Sequence, residues 1–182
     1  SDSTYLRQAV ALTNHVMDKF WDEEKGYFFF TSRDQDDCII RKKEIYDGAT
    51  ASGNSLMMHS LSYLALVTDN PYWKRISDEM AAGLQEMVIR YPTSFSVWAA
   101  GLLSRAYGLE EIVITGKNMG AVRDALLRRY MPDLVLHGAT EEEDYPLLSG
   151  KIFGDETLIY RCVNYSCQAP VKTLEELHIS DR

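Results

Sequence analysis

The chain has little of three things that would each declare a class. Its 182 residues contain only three cysteines and five prolines. That count excludes a disulfide-dense small domain and a proline-rich extended segment. Cationic excess is also missing: 19 Lys and Arg stand against 27 Asp and Glu, a net charge of −8. A dedicated nucleic-acid binder carries a basic face, so no nucleic-acid partner is expected. No apolar run approaches the roughly 20 residues of a membrane span, and no basic-then-apolar signal opens the sequence. The expectation is therefore no membrane partner, and the odd, low cysteine count suits a reducing, cytoplasmic location.

What is present is ordinary for a globular chain: 46% apolar and 25% charged residues. Periodicity predicts four helices. Residues 4–20 are amphipathic, with Leu6, Val10, Met17 and Phe20 on one stripe. Residues 53–68 carry no formal charge and surround His59 with Leu and Met, which reads as a helix buried on most sides. Residues 71–91 are amphipathic again, with Pro71 in a helix-starting position. Residues 94–107 lack charge before Arg105, so Trp98, Leu102 and Leu103 are core candidates. Surface, buried, surface, buried is the order expected of a two-layer helical array.

Two further patterns complete the organisation. Between the first two helices, Tyr27–Phe30 and Cys38–Arg41 read as short strands of a hairpin around a turn-rich segment. Both faces of that hairpin are apolar. After Gly108, strands near 111–115, 134–136 and 158–163, a helix near 119–130 and a short last helix at 174–177 predict an α/β annex. Its first two strands should run parallel, as a strand–helix–strand crossover requires. The expected division is 1–108 helical and 109–182 α/β.

Two segments are distinctive: Arg41-Lys-Lys-Glu-Ile-Tyr-Asp-Gly-Ala-Thr-Ala-Ser-Gly-Asn-Ser55 and Cys162-Val-Asn-Tyr-Ser-Cys-Gln-Ala-Pro-Val171. Together with Trp21-Asp-Glu-Glu-Lys-Gly-Tyr-Phe28 they resemble a family of thioredoxin-domain-containing proteins that includes bacterial members and a mammalian spermatogenesis-associated one. The resemblance covers almost the whole chain and corresponds to the last quarter to third of those proteins. It implies a mainly α fold: part of an α/α toroid of the six-hairpin, glycosidase-like type, with the α/β annex appended. The implied partners are the remaining N-terminal part of the toroid and a thioredoxin-like domain. Ala51 stands where the family pattern usually has Pro.

The loop before the second helix is the principal candidate site. Connections from outer to inner helices would lie on one face, where helix N-termini offer unsatisfied N–H groups. Asp47, Ser52 and Asn54 gather at one such terminus, and Ser94, Ser96 and Trp98 at another. As a sugar site, Asp47 and Glu44 would be the acid/base carboxylates. Asp47, Ser52 and Asn54 would contact hydroxyls, Arg41 or Lys43 an anionic group, and Tyr46 or Trp98 would stack. The competing reading is capping, with Ser52 or Asn54 satisfying backbone N–H groups and Asp47 fixing the Gly48 turn. The first functional expectation is thus carbohydrate binding or processing, glycosidase- or epimerase-like if enzymatic. The alternative is a non-catalytic scaffold for a thioredoxin-like domain.

The remaining constellations are weaker. His59 reads as a satisfied core histidine, and His15, His137 and His178 lack metal-ligand spacing. Gly116-Lys-Asn-Met-Gly120 follows a strand but is not a phosphate-loop motif, and no cofactor is expected. Cys162-x4-Cys167 leaves open a disulfide, half of a metal site, or two ordinary thiols on a strand. Its spacing is not the x2 of redox pairs, so ordinary thiols are the expectation and redox activity a third functional reading. An inner helix without all its neighbours would expose apolar surface, so a homodimer is also expected.

Overall fold

A computed structural model describes residues 3–163 and 166–177. The chain divides into two compact units, Asp2–Ala106 and Tyr107–Arg182.

The first unit is helical: α1 (Ser3–Phe20), α2 (Gly53–Thr68), α3 (Pro71–Arg90) and α4 (Ser96–Tyr107, whose last residue falls across the division). Local chemistry fixes the ends. Ser52 caps α2 by accepting the Ser55 N–H, and Asp69 closes it in a left-handed conformation (φ 50°). Asn70 at once caps α3 through the Trp73 N–H, with Pro71 in the first turn. The core between them is Met58, Leu61, Trp73, Ile76, Met80, Leu84, Phe95 and Trp98, with Phe28 added from the long loop. Leu6, Val10, Val16 and Met17 of α1 pack against it.

The burial pattern overturns the two-layer array. Residues Met58, Leu61 and Leu64 of α2 are buried, but so are Ile76, Met80, Leu84 and Val88 of the charged helix α3. In α4 only Trp98 and Gly101 are buried, and Leu103 (57%) and Tyr107 (64%) stand largely in solvent. Lack of charge was the misleading signal. A helix can lack charge because it is built from Ala, Gly and Ser, which lose little when exposed, whereas α3 hides a full apolar stripe behind its Lys74–Asp78 and Arg75–Glu79 pairs.

The second unit is a four-stranded mixed sheet with one helix, order β2-β1-β3-β4. Its elements are β1 (Glu110–Thr115), α5 (Met119–Leu126), β2 (Leu134–Ala139), β3 (Leu158–Val163) and β4 (Ser166–Cys167). β1 and β2 are parallel, Glu110 facing Leu134, as the crossover through α5 requires. β3 lies antiparallel to β1 on the other side, Glu111 facing Cys162 and Val113 facing Tyr160. Ile112, Ile114, Ile159, Met119 and Leu126 form the core under α5.

With five helices and a four-stranded sheet among the described residues, the chain is an α/β protein, not a mainly α toroid portion. The segment 27–41 forms no strand ladder; it is held by an isolated Trp21–Phe28 bridge and the Phe30 N–H on the Lys42 carbonyl. Residues 174–177 are turn rather than helix, because four residues cannot repay helix nucleation. Cys162 and Cys167 are disulfide-bonded rather than ordinary thiols, since the antiparallel register of β3 and β4 sets them directly opposite each other. Asn164, Tyr165 and His178 lie outside the described residues.

Candidate functional site

Asp47 is the hub of the loop that precedes α2. It is buried (5% exposed) and each carboxylate oxygen serves a different helix. Oδ1 accepts the Ser52 N–H at 3.0 Å and the Ser55 hydroxyl at 2.7 Å, at the N-terminus of α2. Oδ2 accepts the N–H groups of Val97 at 2.9 Å and Trp98 at 3.3 Å, in the first turn of α4. Its own N–H donates to the Ser94 carbonyl at 3.0 Å. One carboxylate therefore satisfies orphan donors of two helices at their partially positive ends. Burial pushes its pKa up, but the bonds from Ser55, Ser52, Val97 and Trp98 outweigh burial and hold it below the ordinary carboxylate value.

The neighbouring candidates are committed to the fold in the same way. Asn54 is buried and behaves as a surrogate strand: Oδ1 accepts the Phe28 N–H at 2.6 Å, and Nδ2 donates to the carbonyls of Phe28 (2.9 Å) and Glu44 (2.8 Å). Ser52 is the α2 cap. Trp98 is fully buried, its indole N–H on the Ile45 carbonyl at 2.8 Å. Arg41 donates to the carbonyls of Thr31 and Lys19, and its guanidinium lies 4.0 Å from the Phe29 ring centroid. Lys43 reaches the Gly26 carbonyl at 2.6 Å and Asp22 at 2.7 Å. That bond is the main reason the Asp22 carboxyl sits below its usual range. Glu44 and Tyr46 are exposed, the Tyr46 ring resting 4.9 Å from that of Phe95. His59 is half-buried with Nε2 2.9 Å from the Val97 carbonyl. No group of His, Cys, Asp and Glu among the described residues could hold a metal ion.

The structure thus gathers Asp47, Ser52, Asn54 and Trp98 but leaves no polar atom of the Asp47 carboxylate unbonded. The essential partners that sequence spacing did not single out are Ser55 and the two backbone N–H groups of α4. An Asp followed by Ser at +5 and +8, across a helix start, was the available signal for Ser55.

A cleft of about 470 Å³ is lined by Trp21, Glu23, Glu24, Lys25, Tyr27, Tyr72, Arg75 and Glu79, between the 21–27 turn and α3. Gly26 (φ 65°) and Tyr27 (φ 71°) are both left-handed, an uncommon state for tyrosine. The turn drives the Tyr27 ring against Trp98 and its hydroxyl onto the Met80 carbonyl at 3.1 Å. Gly83 makes this possible, since a Cβ there would sit 2.4 Å from the Tyr27 hydroxyl oxygen.

The geometry defines an α/β chain with a buried carboxylate that ties two helix starts together. No family model matches it. The chain is distantly homologous to spermatogenesis-associated protein 20, 26% identical to the human protein over 182 residues and 27% to that of Rattus norvegicus over 183. It is also 25% identical, over 181 residues, to an uncharacterized protein of Caenorhabditis elegans. These alignments take in 93–95% of the present chain but only 23–25% of each relative, so the chain spans about a quarter of their length.

Proposed function

We propose that this chain is a non-catalytic scaffold module, with a thioredoxin-like domain, the partner implied by the family resemblance, as what it holds. The observation that carries the non-catalytic half is the complete internal use of the Asp47 carboxylate by Ser52, Ser55, Val97 and Trp98. A general acid or base must exchange a proton with substrate, which a carboxylate accepting four internal bonds is poorly placed to do. Support for the docking half is the apolar surface of the same loop, where Phe30 (72%), Ile39 (97%) and Ile40 (71%) face solvent. The test pairs Asp47→Asn with a charged replacement of the surface, Ile39→Asp/Ile40→Asp. Asp47→Asn should lower the melting temperature by several degrees and change no turnover of a mono- and oligosaccharide panel. The double variant should melt normally and lose binding to a thioredoxin-like domain supplied in trans. Sugar turnover by the unaltered chain, lost in Asp47→Asn at unchanged melting temperature, would reverse the reading.

A second reading, carbohydrate binding, is favoured by the cleft at Trp21, Tyr27 and Tyr72. Aromatic faces beside Glu23, Glu24, Glu79 and Arg75 suit a neutral polyhydroxylated ligand, and the volume lies within the range of small-molecule sites. In this reading the sugar sits on the turn–α3 side and Asp47 only supports the fold. Saturation-transfer NMR with the same panel checks it, with Trp21→Ala and Tyr72→Ala expected to abolish any signal.

A further inference from the structure

We infer that β2 is the contact strand of a two-fold homodimer: it pairs antiparallel with β2 of a second copy, and Arg128 and Arg129 of each copy meet Asp144 and Glu143 of the other.

The two edges of the sheet are built differently. β4 has two residues, is tied to β3 by the disulfide and is followed closely by Pro170, so it offers little to a neighbour. β2 forms the other edge with six residues, Leu-Val-Leu-His-Gly-Ala, and carries no proline, acid, lysine or arginine to blunt it. The Glu110 N–H donates to the Asp133 carbonyl, which fixes the phase of the parallel ladder. Val135, His137 and Ala139 therefore bond inward to β1, and Leu134 and Leu136 turn their backbone groups outward. The Leu134 N–H returns to the Met131 carbonyl. Among the described residues the Leu136 N–H and C=O have no backbone partner. An unpaired row of this kind is a template for another strand.

Charge selects the occupant and its direction. Arg128 and Arg129 lie just before β2, exposed beside Leu127 (58%) and Tyr130 (89%). Unlike Arg123, which pairs with Asp124, they form no ion pair among the described residues. Glu141, Glu142 and Asp144 lie just after β2, exposed and equally without an ion pair there. Within one copy the length of β2 holds the two clusters about 17 Å apart. That exceeds the screening length of about 8 Å at physiological salt, so neither cluster neutralises the other. A second β2 laid alongside in the opposite direction brings unlike charges together at both ends. Centred on Leu136, the two-fold axis lets the two Leu136 residues exchange both N–H···O=C bonds. The same register sets Arg128 and Arg129 at the level of Asp144 and Glu143 of the second copy. Parallel pairing in register would instead set arginine on arginine and acid on acid. An acidic partner of another kind would use the arginines but leave the acidic run and the Leu136 groups idle. The two four-stranded sheets thus join through their β2 edges. This surface shares no residue with the Phe30, Ile39 and Ile40 surface proposed above for docking.

Sedimentation equilibrium of the 182-residue chain at neutral pH follows the association. A monomer–dimer equilibrium is expected, with a dissociation constant that rises about tenfold or more between about 50 mM and about 0.5 M salt. Arg128→Glu/Arg129→Glu and Glu143→Lys/Asp144→Lys should each be monomeric at concentrations where the unaltered chain is dimeric. Mixed together they should form a one-to-one dimer, because both end contacts become attractive again. Hydrogen exchange at the Leu136 amide should slow by about tenfold or more as the concentration rises through the dissociation constant, whereas the Val135 amide, bonded to β1, should not respond. A chain that stays monomeric at about 1 mM, a dimer that survives either charge reversal, a mixture that remains monomeric, or a Leu136 amide indifferent to association would each overturn the assignment. Should a charge-reversed variant fail to fold, Arg128→Gln/Arg129→Gln tests the same contact: it should weaken the dimer, and an unchanged dissociation constant would overturn the pairing.

Discussion

The Asp47 carboxylate accepts the backbone N–H of Trp98 across 51 positions of sequence, and through that bond the loop before α2 is fastened to the start of α4. The same residue fastens the start of α2 through Ser52 and Ser55. Two helices that meet at their N-termini would otherwise bring two partially positive ends together with unsatisfied donors. A single negative charge offsets both.

Asp47→Asn should therefore act on stability. An amide can accept through one oxygen only, so at least two donors of the four lose their partner. At about 1–3 kcal/mol for each of two buried donors left unpaired, a loss of about 2–6 kcal/mol is expected from chemical denaturation at pH 7. The pH dependence has a definite sign. The folded-state pKa lies below the ordinary value, so the charge contributes fully above pH 3.8, the unperturbed aspartate value. Its contribution is lost as pH falls through the lower folded-state value. The stability difference between the unaltered chain and the Asp47→Asn variant should be constant from pH 5 to 8 and shrink below pH 4; a difference that grows on acidification would contradict the assignment.

Asn54→Ala tests the surrogate strand. Removing the side chain deprives the Phe28 N–H and the carbonyls of Phe28 and Glu44 of their partners at once. The expected cost is about 3 kcal/mol. The more specific readout is amide hydrogen exchange: Phe28 should lose protection far more than amides in α3, because its donor has no ladder partner to fall back on. Asn54→Asp should not rescue, since a carboxylate cannot donate to the two carbonyls.

Much of this framework was legible in the sequence, for reasons visible at particular residues. Helix ends could be read because Ser52, Asn70 and Pro71 act locally, through bonds that span three residues. The parallel β1–β2 pair could be read because chirality leaves one crossover. Burial of α4 could not, because absence of charge does not say whether Leu103 meets a neighbour. The role of Asp47 was open between ligand contact and capping, since half of its partners, Val97 and Trp98, lie about fifty residues away. The disulfide stayed one of three open readings because x4 spacing does not say which residues of two strands face each other, whereas the β3–β4 register pairs the two cysteines.

Tyr27 should reverse the sign of a substitution at Gly83. Gly83 lies inside α3, where glycine is about 1 kcal/mol less favourable than alanine, so Gly83→Ala would ordinarily stabilise. Here the new methyl would sit 2.4 Å from the Tyr27 hydroxyl oxygen but 3.5 Å from the ring carbon that bears it, an ordinary contact. In the unaltered background Gly83→Ala should destabilise by about 1–3 kcal/mol, the usual cost of overpacking. Tyr27→Phe alone should cost about 1 kcal/mol, through loss of the bond to the Met80 carbonyl. With both changes the clash is gone and the helix gain returns, so Gly83→Ala should stabilise the Tyr27→Phe variant by up to about 1 kcal/mol. The coupling energy from this four-member cycle, measured by urea denaturation, should be about 1–4 kcal/mol. Additive effects would mean that the left-handed Gly26–Tyr27 turn does not seat the ring against α3.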